Sequence, residues 1–299
     1  IYMLMFLLNA LTAFFTPTYQ ATVPQVVGEE DYPQAIALSG ATYEIFGILG
    51  PGIAGAVATF LGAREIFFLD AATFLISALL IITLPIRLKV NRSESSSGTT
   101  WQDVQNGTLR LWQDAPIRYA LLLELVASLS GALVLVNTVG LVKGQLNLGD
   151  LEYGWVMTAF GIGATLAALA AGFLDKRLKR TTFVLIGATV STLAVLPANY
   201  LSFAPLLFFW LLAGAGQNWV NLPTQTLIAD RTPEDAQGRV YGAHFAWSHL
   251  WWAVAYPLAG WLGSRFIEQS YLYGALVAAG VLLIVQTFIR SGRLEPKRD

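Results

Sequence analysis

Apolar runs of about 20 residues recur along this chain between short polar breaks, each long enough to cross the roughly 30 Å hydrocarbon core of a bilayer as an α-helix. Nine are read, at residues 1–27, 35–60, 66–86, 117–142, 152–174, 182–200, 204–228, 239–263 and 270–289. Backbone surrounded by lipid must satisfy its own N–H and C=O groups, which leaves helix as the structure such runs can form. The expected class is an all-α membrane protein. Composition agrees, with 55% hydrophobic and only 12% charged residues. A net charge of -1 gives no basis for nucleic-acid binding, and a chain without cysteine has no disulfide, thiolate metal site or thiol nucleophile. No loop carries the spacing of a nucleophile with its base, a metal-ligand set or a phosphate loop, so no enzyme and no cofactor are expected.

The charges inform by position. Of the 18 Lys and Arg, all except Arg64, Lys143 and Arg265 fall on one side when the runs alternate across the membrane. The positive-inside rule makes that side, with the C-terminus, cytoplasmic and puts residue 1 outside. The one sizeable polar break, 88–116, begins linker-like at Asn91-Arg-Ser-Glu-Ser-Ser-Ser-Gly-Thr-Thr100 and continues from Trp101 to Asp114 as an interfacial helix. It separates a partial bundle of three spans, 1–87, from a six-helix bundle, 117–290, followed by a cytoplasmic tail, 291–299.

Within the second run stands Ala41-Thr-Tyr-Glu-Ile-Phe-Gly-Ile-Leu-Gly-Pro-Gly-Ile-Ala-Gly55. At about 100° per residue, Glu44, Pro51 and Gly55 share a helix face and Gly47 lies roughly 60° away. Gly and Pro would weaken a soluble helix by about 1 and 3 kcal/mol, but in lipid small residues let neighbouring backbones approach closely. Glu44 lies roughly 13 Å into its span, near mid-membrane, where a carboxyl is costly. Proton binding and release, or a satisfied interhelical hydrogen bond, are both open readings of it.

The halves echo each other. Pro17-Thr-Tyr-Gln20 resembles Pro223-Thr-Gln225; Pro51 and Pro257 follow these prolines at equal distance, and Leu-Gly-x-Arg then recurs at Leu61 to Arg64 and Leu262 to Arg265. The copies stand roughly 200 residues apart, as in transporters built from parallel repeats. That offset leaves room upstream for about three further spans. The chain then holds helices 4–12 of a 6+6 bundle and is N-terminally truncated.

These features resemble the major facilitator superfamily. Its drug:proton antiporter branch carries a Gly-Pro motif on the fifth helix, where Gly47, Gly50, Pro51, Gly52 and Gly55 fall. Phe14-Phe-Thr-Pro17 through Pro24, Ala35 to Leu38 and Asp70-Ala-Ala-Thr-Phe74 are similar to the macrolide and enterobactin exporters of that branch. Gly172-Phe-Leu-Asp-Lys-Arg-Leu-Lys-Arg180 and Asp230-Arg-Thr-Pro-Glu-Asp-Ala-Gln-Gly-Arg239 resemble its cytoplasmic loop motifs, one glycine-to-aspartate spacing being a residue short. The resemblance implies a gating role for Asp175, Arg177, Arg180, Asp230, Arg231 and Arg239; ordinary topology anchoring is the alternative.

It also implies a central cavity with candidates Gln20, Asn137, Gln217, Asn221, Gln225 and His249, of which Gln217, Asn221 and Gln225 line one helix face at four-residue spacing. That stripe reads as a cavity wall or as interhelical glue. Glu124, about one turn into its run, is expected to snorkel or pair near the basic side, and His244 to reach the same interface. His244 and His249 point about 140° apart on a straight helix, unlike the four-residue spacing of a two-ligand metal face. The stretch from Ala243 to Trp252 is similar to a nickel-resistance subgroup, which leaves His249 as a metal candidate, although the C-terminal tail has no histidine.

The resemblance therefore implies a monomeric secondary transporter of a bacterial-type inner membrane, exporting a small amphipathic molecule by alternating access. The proton gradient would drive it, with Glu44 as carrier. A nickel or cobalt exporter of the same fold is the alternative, as is a truncated membrane protein that does not transport.

Overall fold

The computed structural model describes residues 3–12 without 9, residues 27 and 42, 46–83 without 48 and 63, 100–174 and 179–289. Regular structure among the described residues is helical throughout: α1 (Met3–Thr12), α2 (Leu49–Leu61), α3 (Ile66–Thr83), α4 (Thr100–Gln113), α5 (Ala115–Val139), α6 (Asp150–Leu174), α7 (Arg180–Val195), α8 (Phe203–Arg231), α9 (Glu234–Arg265) and α10 (Ser270–Ile289). Among the described residues, six helices are long and apolar enough to cross a membrane: α3, α5 with its extension to Gln145, α6, α7, α8 and α10. The described parts of the runs at 1–27 and 35–60 form the shorter α1 and α2, while the run at 239–263 lies inside the 32-residue α9.

Contacts divide the chain into two units, Ile1–Phe46 with Arg64–Ser96, and Gly47–Ala63 with Ser97–Asp299. In the first, α3 is apolar on every side and has no buried residue. The second is a helical bundle with α5 at its centre.

Helix α5 is placed by its ends. The Asp114 carboxylate accepts the Ile117 amide at 3.1 Å, and Pro116 occupies the first turn, where a missing N–H costs nothing. At its far end the helix widens into a π-helical turn, Gly140–Gln145, in which a Cβ on Gly140 or Gly144 would meet nothing within 4 Å. Asn147, with φ of 52°, then reverses the chain toward α6, in the left-handed region that asparagine tolerates. Pro223 stands inside α8, as spanning helices allow when neighbours re-satisfy the freed carbonyl, and Pro257 stands inside α9.

Two packing devices hold the bundle. Trp210 of α8 donates its indole N–H to Thr138 of α5 at 3.1 Å, and the Thr138 hydroxyl lies 3.2 Å from that of Tyr271 in α10. All three are buried, and each polar tip is satisfied inside an apolar core. Elsewhere backbones touch. Gly163 of α6 lies against the Leu211 carbonyl and Gly214 of α8 against the Phe160 carbonyl, so a side chain at either would displace a helix.

Candidate functional site

The described contacts of the Gly-Pro glycines all run to one neighbour, α6. A Cβ on Gly55 would stand 2.9 Å from the Gly154 Cα, and one on Gly154 would stand 2.7 Å from the Pro51 carbonyl oxygen. Gly52 adjoins the Thr158 hydroxyl at 2.8 Å on the same measure, whereas Gly47 and Gly50 have nothing within 4 Å. Pro51, Gly52 and Gly55 thus form a smooth face on which α6 rests. Glu44 lies outside the described residues, as do Gln20, Asp175 and Arg177.

Deeper in the same unit is a carboxylate–imidazole pair. His244 Nε2 of α9 stands 2.9 and 3.1 Å from the two carboxylate oxygens of Glu124 in α5. Glu124 is 5% exposed and the His244 side chain 12%. Glu124 therefore pairs, one of the two fates expected of it, but neither it nor His244 reaches the interface. The reason is where the helices begin: α5 starts at Ala115 and α9 at Glu234, so each residue lies about 15 Å along its axis at 1.5 Å per residue. A proton shared by such a pair can sit on the imidazole, which then donates to the carboxylate, or on the carboxyl, which then donates to Nε2.

Tryptophans clamp the pair's two helices. Trp251 of α9 donates to the Leu121 carbonyl of α5 at 3.0 Å, Trp247 packs 5.2 Å from Trp251, and Trp112 of α4 meets Trp247 edge-on at 5.0 Å. Two turns beyond Glu124 on α5, Gly131 lies beside the Gln217 amide oxygen and the Trp252 ring. That Gln217 oxygen is buried without a hydrogen-bond partner, as is Asn218 Oδ1 next to it. The pair and the Gln217 oxygen line the α5–α8–α9 interior with polar atoms. Asn221 and Gln225 continue the Gln217 stripe, but both are exposed. Asn137 is buried near the opposite end and donates to the Ala259 carbonyl at 3.1 Å.

His249 is exposed. Its Nδ1–H donates to the Phe245 carbonyl of its own helix at 2.8 Å, and its ring lies 3.9 Å from the Phe245 ring. No group of three or more potential metal-binding side chains occurs among the described residues.

The charged loop residues meet at the end where α5 and α9 begin. Arg180 at the start of α7 pairs with Asp230 at the end of α8. Arg231 donates from Nε to both Asp114 oxygens, at 2.9 and 2.8 Å, so one carboxylate caps α5 and holds α8. Arg239 is exposed near the start of α9, where its carbonyl abuts Gly107 of α4.

Long apolar helices packed through glycine and enclosing an ionisable pair define a polytopic membrane protein. The chain belongs to the major facilitator family described as transmembrane secretion effectors, whose profile matches residues 1–296. It is similar to the uncharacterized MFS-type transporter YfiS of Bacillus subtilis (strain 168), 24% identical over 95% of this chain and 69% of that protein. It is also similar to the enterobactin exporter EntS of Salmonella paratyphi A, 26% identical over 89% of this chain and 64% of the exporter. The chain thus spans about two thirds of the length of these relatives. Among solved structures, a bacterial homologue of the iron transporter ferroportin in an inward-facing state shares the fold, with a TM-score of 0.62 and 18% identity over 89% of this chain and 66% of that one. The protein is therefore an integral membrane transporter for a small molecule and not an enzyme.

Proposed function

We propose that this protein exports a small amphipathic molecule across a bacterial-type inner membrane by proton-coupled alternating access, its C-terminus in the cytoplasm. The observation that carries the proton coupling is the Glu124–His244 pair. A buried carboxylate and imidazole in contact form one site for a transferable proton, joining the helix that centres the bundle to one that borders it. Buried ion pairs contribute little net stability compared with apolar packing, which supports a working role over a structural one. Glu44 remains the proposed proton carrier of the first half, and the smooth face of Pro51, Gly52 and Gly55 the surface along which helices shift or seal. Export as the direction is supported by what EntS is named for.

Energised everted vesicles containing the complete protein test this with ethidium as the probe. Efflux should collapse when a protonophore dissipates the gradient. Glu124→Gln, which keeps the hydrogen bond and removes the charge, should uncouple ethidium movement from the gradient, and Glu44→Gln should do so independently. Wild-type coupling in Glu124→Gln would sink the role of the pair while leaving Glu44 to be judged by its own variant.

A further inference from the structure

The α5–α8–α9 interior holds a polar group that its described neighbours leave unmet. Gln217 of α8 is 9% exposed, and its amide oxygen is buried without a hydrogen-bond partner. On the same three helices Asn137, Thr224 and Trp251 spend their donors on carbonyls at 3.1, 2.7 and 3.0 Å. A glutamine kept as interhelical glue bonds across helices, and this oxygen does not. An acceptor left in that state carries its whole desolvation cost, which a bound molecule with a donor would remove.

The surroundings say what kind of molecule fits. Gly131 of α5 lies two turns along from Glu124 and on the same helix face, at about 100° per residue. Its missing side chain leaves a notch that two groups share. A Cβ there would stand 2.7 Å from the edge of the Trp252 ring and 3.0 Å from the Gln217 oxygen, so ring edge and oxygen are neighbours. On its other side the Trp252 ring lies against Tyr256 of the next turn, tilted by 34° with centroids 5.1 Å apart, and Tyr256 is 41% exposed. An aromatic pair thus runs from the surface of the bundle in to the unpaired oxygen. Rings so placed take a further flat ring by stacking.

We propose that this is the recognition point for the transported molecule, and that the molecule is a planar aromatic carrying a ring N–H or O–H. Its ring displaces the Trp252 edge from the Gly131 notch and stacks on Trp252, and its donor bonds to the Gln217 oxygen. Gln217 then sets specificity, because a site built to hydrogen-bond a group rejects the analogue that lacks it. Glu124 and His244, two turns away, are left to the proton. The proposal rests on the export reading and adds the substrate class to it.

Equilibrium dialysis of the complete protein in detergent, with no proton gradient, tests it with two probes of one shape. Ethidium carries ring amino groups; its deaminated analogue is the same phenylphenanthridinium without them. The wild type should bind ethidium about tenfold more tightly than the analogue. Gln217→Met keeps the side-chain length and removes the amide. It should weaken ethidium about tenfold and leave the analogue bound as before, which also shows that the variant is folded. Trp252→Leu should weaken both probes alike. A wild type that binds the two equally, or binds neither, overturns the proposal. So does a Gln217→Met variant that keeps the preference or loses both probes together, since the residue would then be structural. Without a gradient, failure here leaves the coupling roles of Glu124 and Glu44 standing, and failure of coupling in vesicles leaves this binding standing.

Discussion

At the end of the second unit where α5 and α9 begin, helices distant in sequence are joined by charge: Arg180 with Asp230, Arg231 with Asp114 and, further in, His244 with Glu124. At the other end the cross-links are neutral hydrogen bonds, several of them from side-chain amides. Asn199 accepts the Tyr271 amide at 3.0 Å and donates to the Ile267 carbonyl at 3.3 Å, and Gln145 donates to the same carbonyl. The charge pair of Lys143 with Asp150 at that end joins only neighbouring segments. Charge pairs respond to protons, salt and bound ions, while amide–carbonyl bonds do not. The difference teaches that the stability of one end should depend on salt and protonation while that of the other should not.

That comparison can be broken most severely at Glu124. Replacing it with Ala leaves His244 buried without its partner, and thermal unfolding in micelles should show a loss of about 3–5 kcal/mol. Adding His244→Leu should recover much of that loss, because an apolar pair packs where the charges were. At the amide end, Asn199→Ala should cost about 1–3 kcal/mol by stranding the Tyr271 amide, and added salt should leave the loss unchanged. Asp114→Ala removes a cap and a charge pair together, for about 1 kcal/mol, and the charge-pair share of its effect should fade in high salt while the cap share persists. Smallest of all, Arg180→Gln should cost under about 1 kcal/mol and nothing measurable at high salt. Salt sensitivity at both ends, or at neither, would remove the distinction.

The sequence displayed the helices because burial in lipid demands long apolar runs, and it displayed the smooth face of Gly52 and Gly55 because close backbones demand glycine. It did not display the Glu124–His244 pair. Each residue was legible alone, but their partnership spans 120 residues and depends on which helices adjoin. A usable signal was present: both helices begin at the same end, and the two ionisable groups lie at nearly equal depth along them. The four-residue stripe on α8 was legible as a face, yet Gln217 is buried while Asn221 and Gln225 are exposed. Periodicity fixes direction around a helix and not how far neighbours extend along it.

The π-helical turn at Gly140–Gln145 bears on how the far end of α5 could change over generations. A π-turn is an α-turn with one residue to spare. Deleting Gly144, whose missing side chain faces open space, should let the ladder close as ordinary α-helix while Leu141 and Val142 keep their buried places. The same deletion within the α-helical stretch at Val134 would turn every residue beyond it by about 100° and scramble the contacts of Asn137 and Thr138. The chain thus carries its slack at one address, and length variation in this helix is survivable there first.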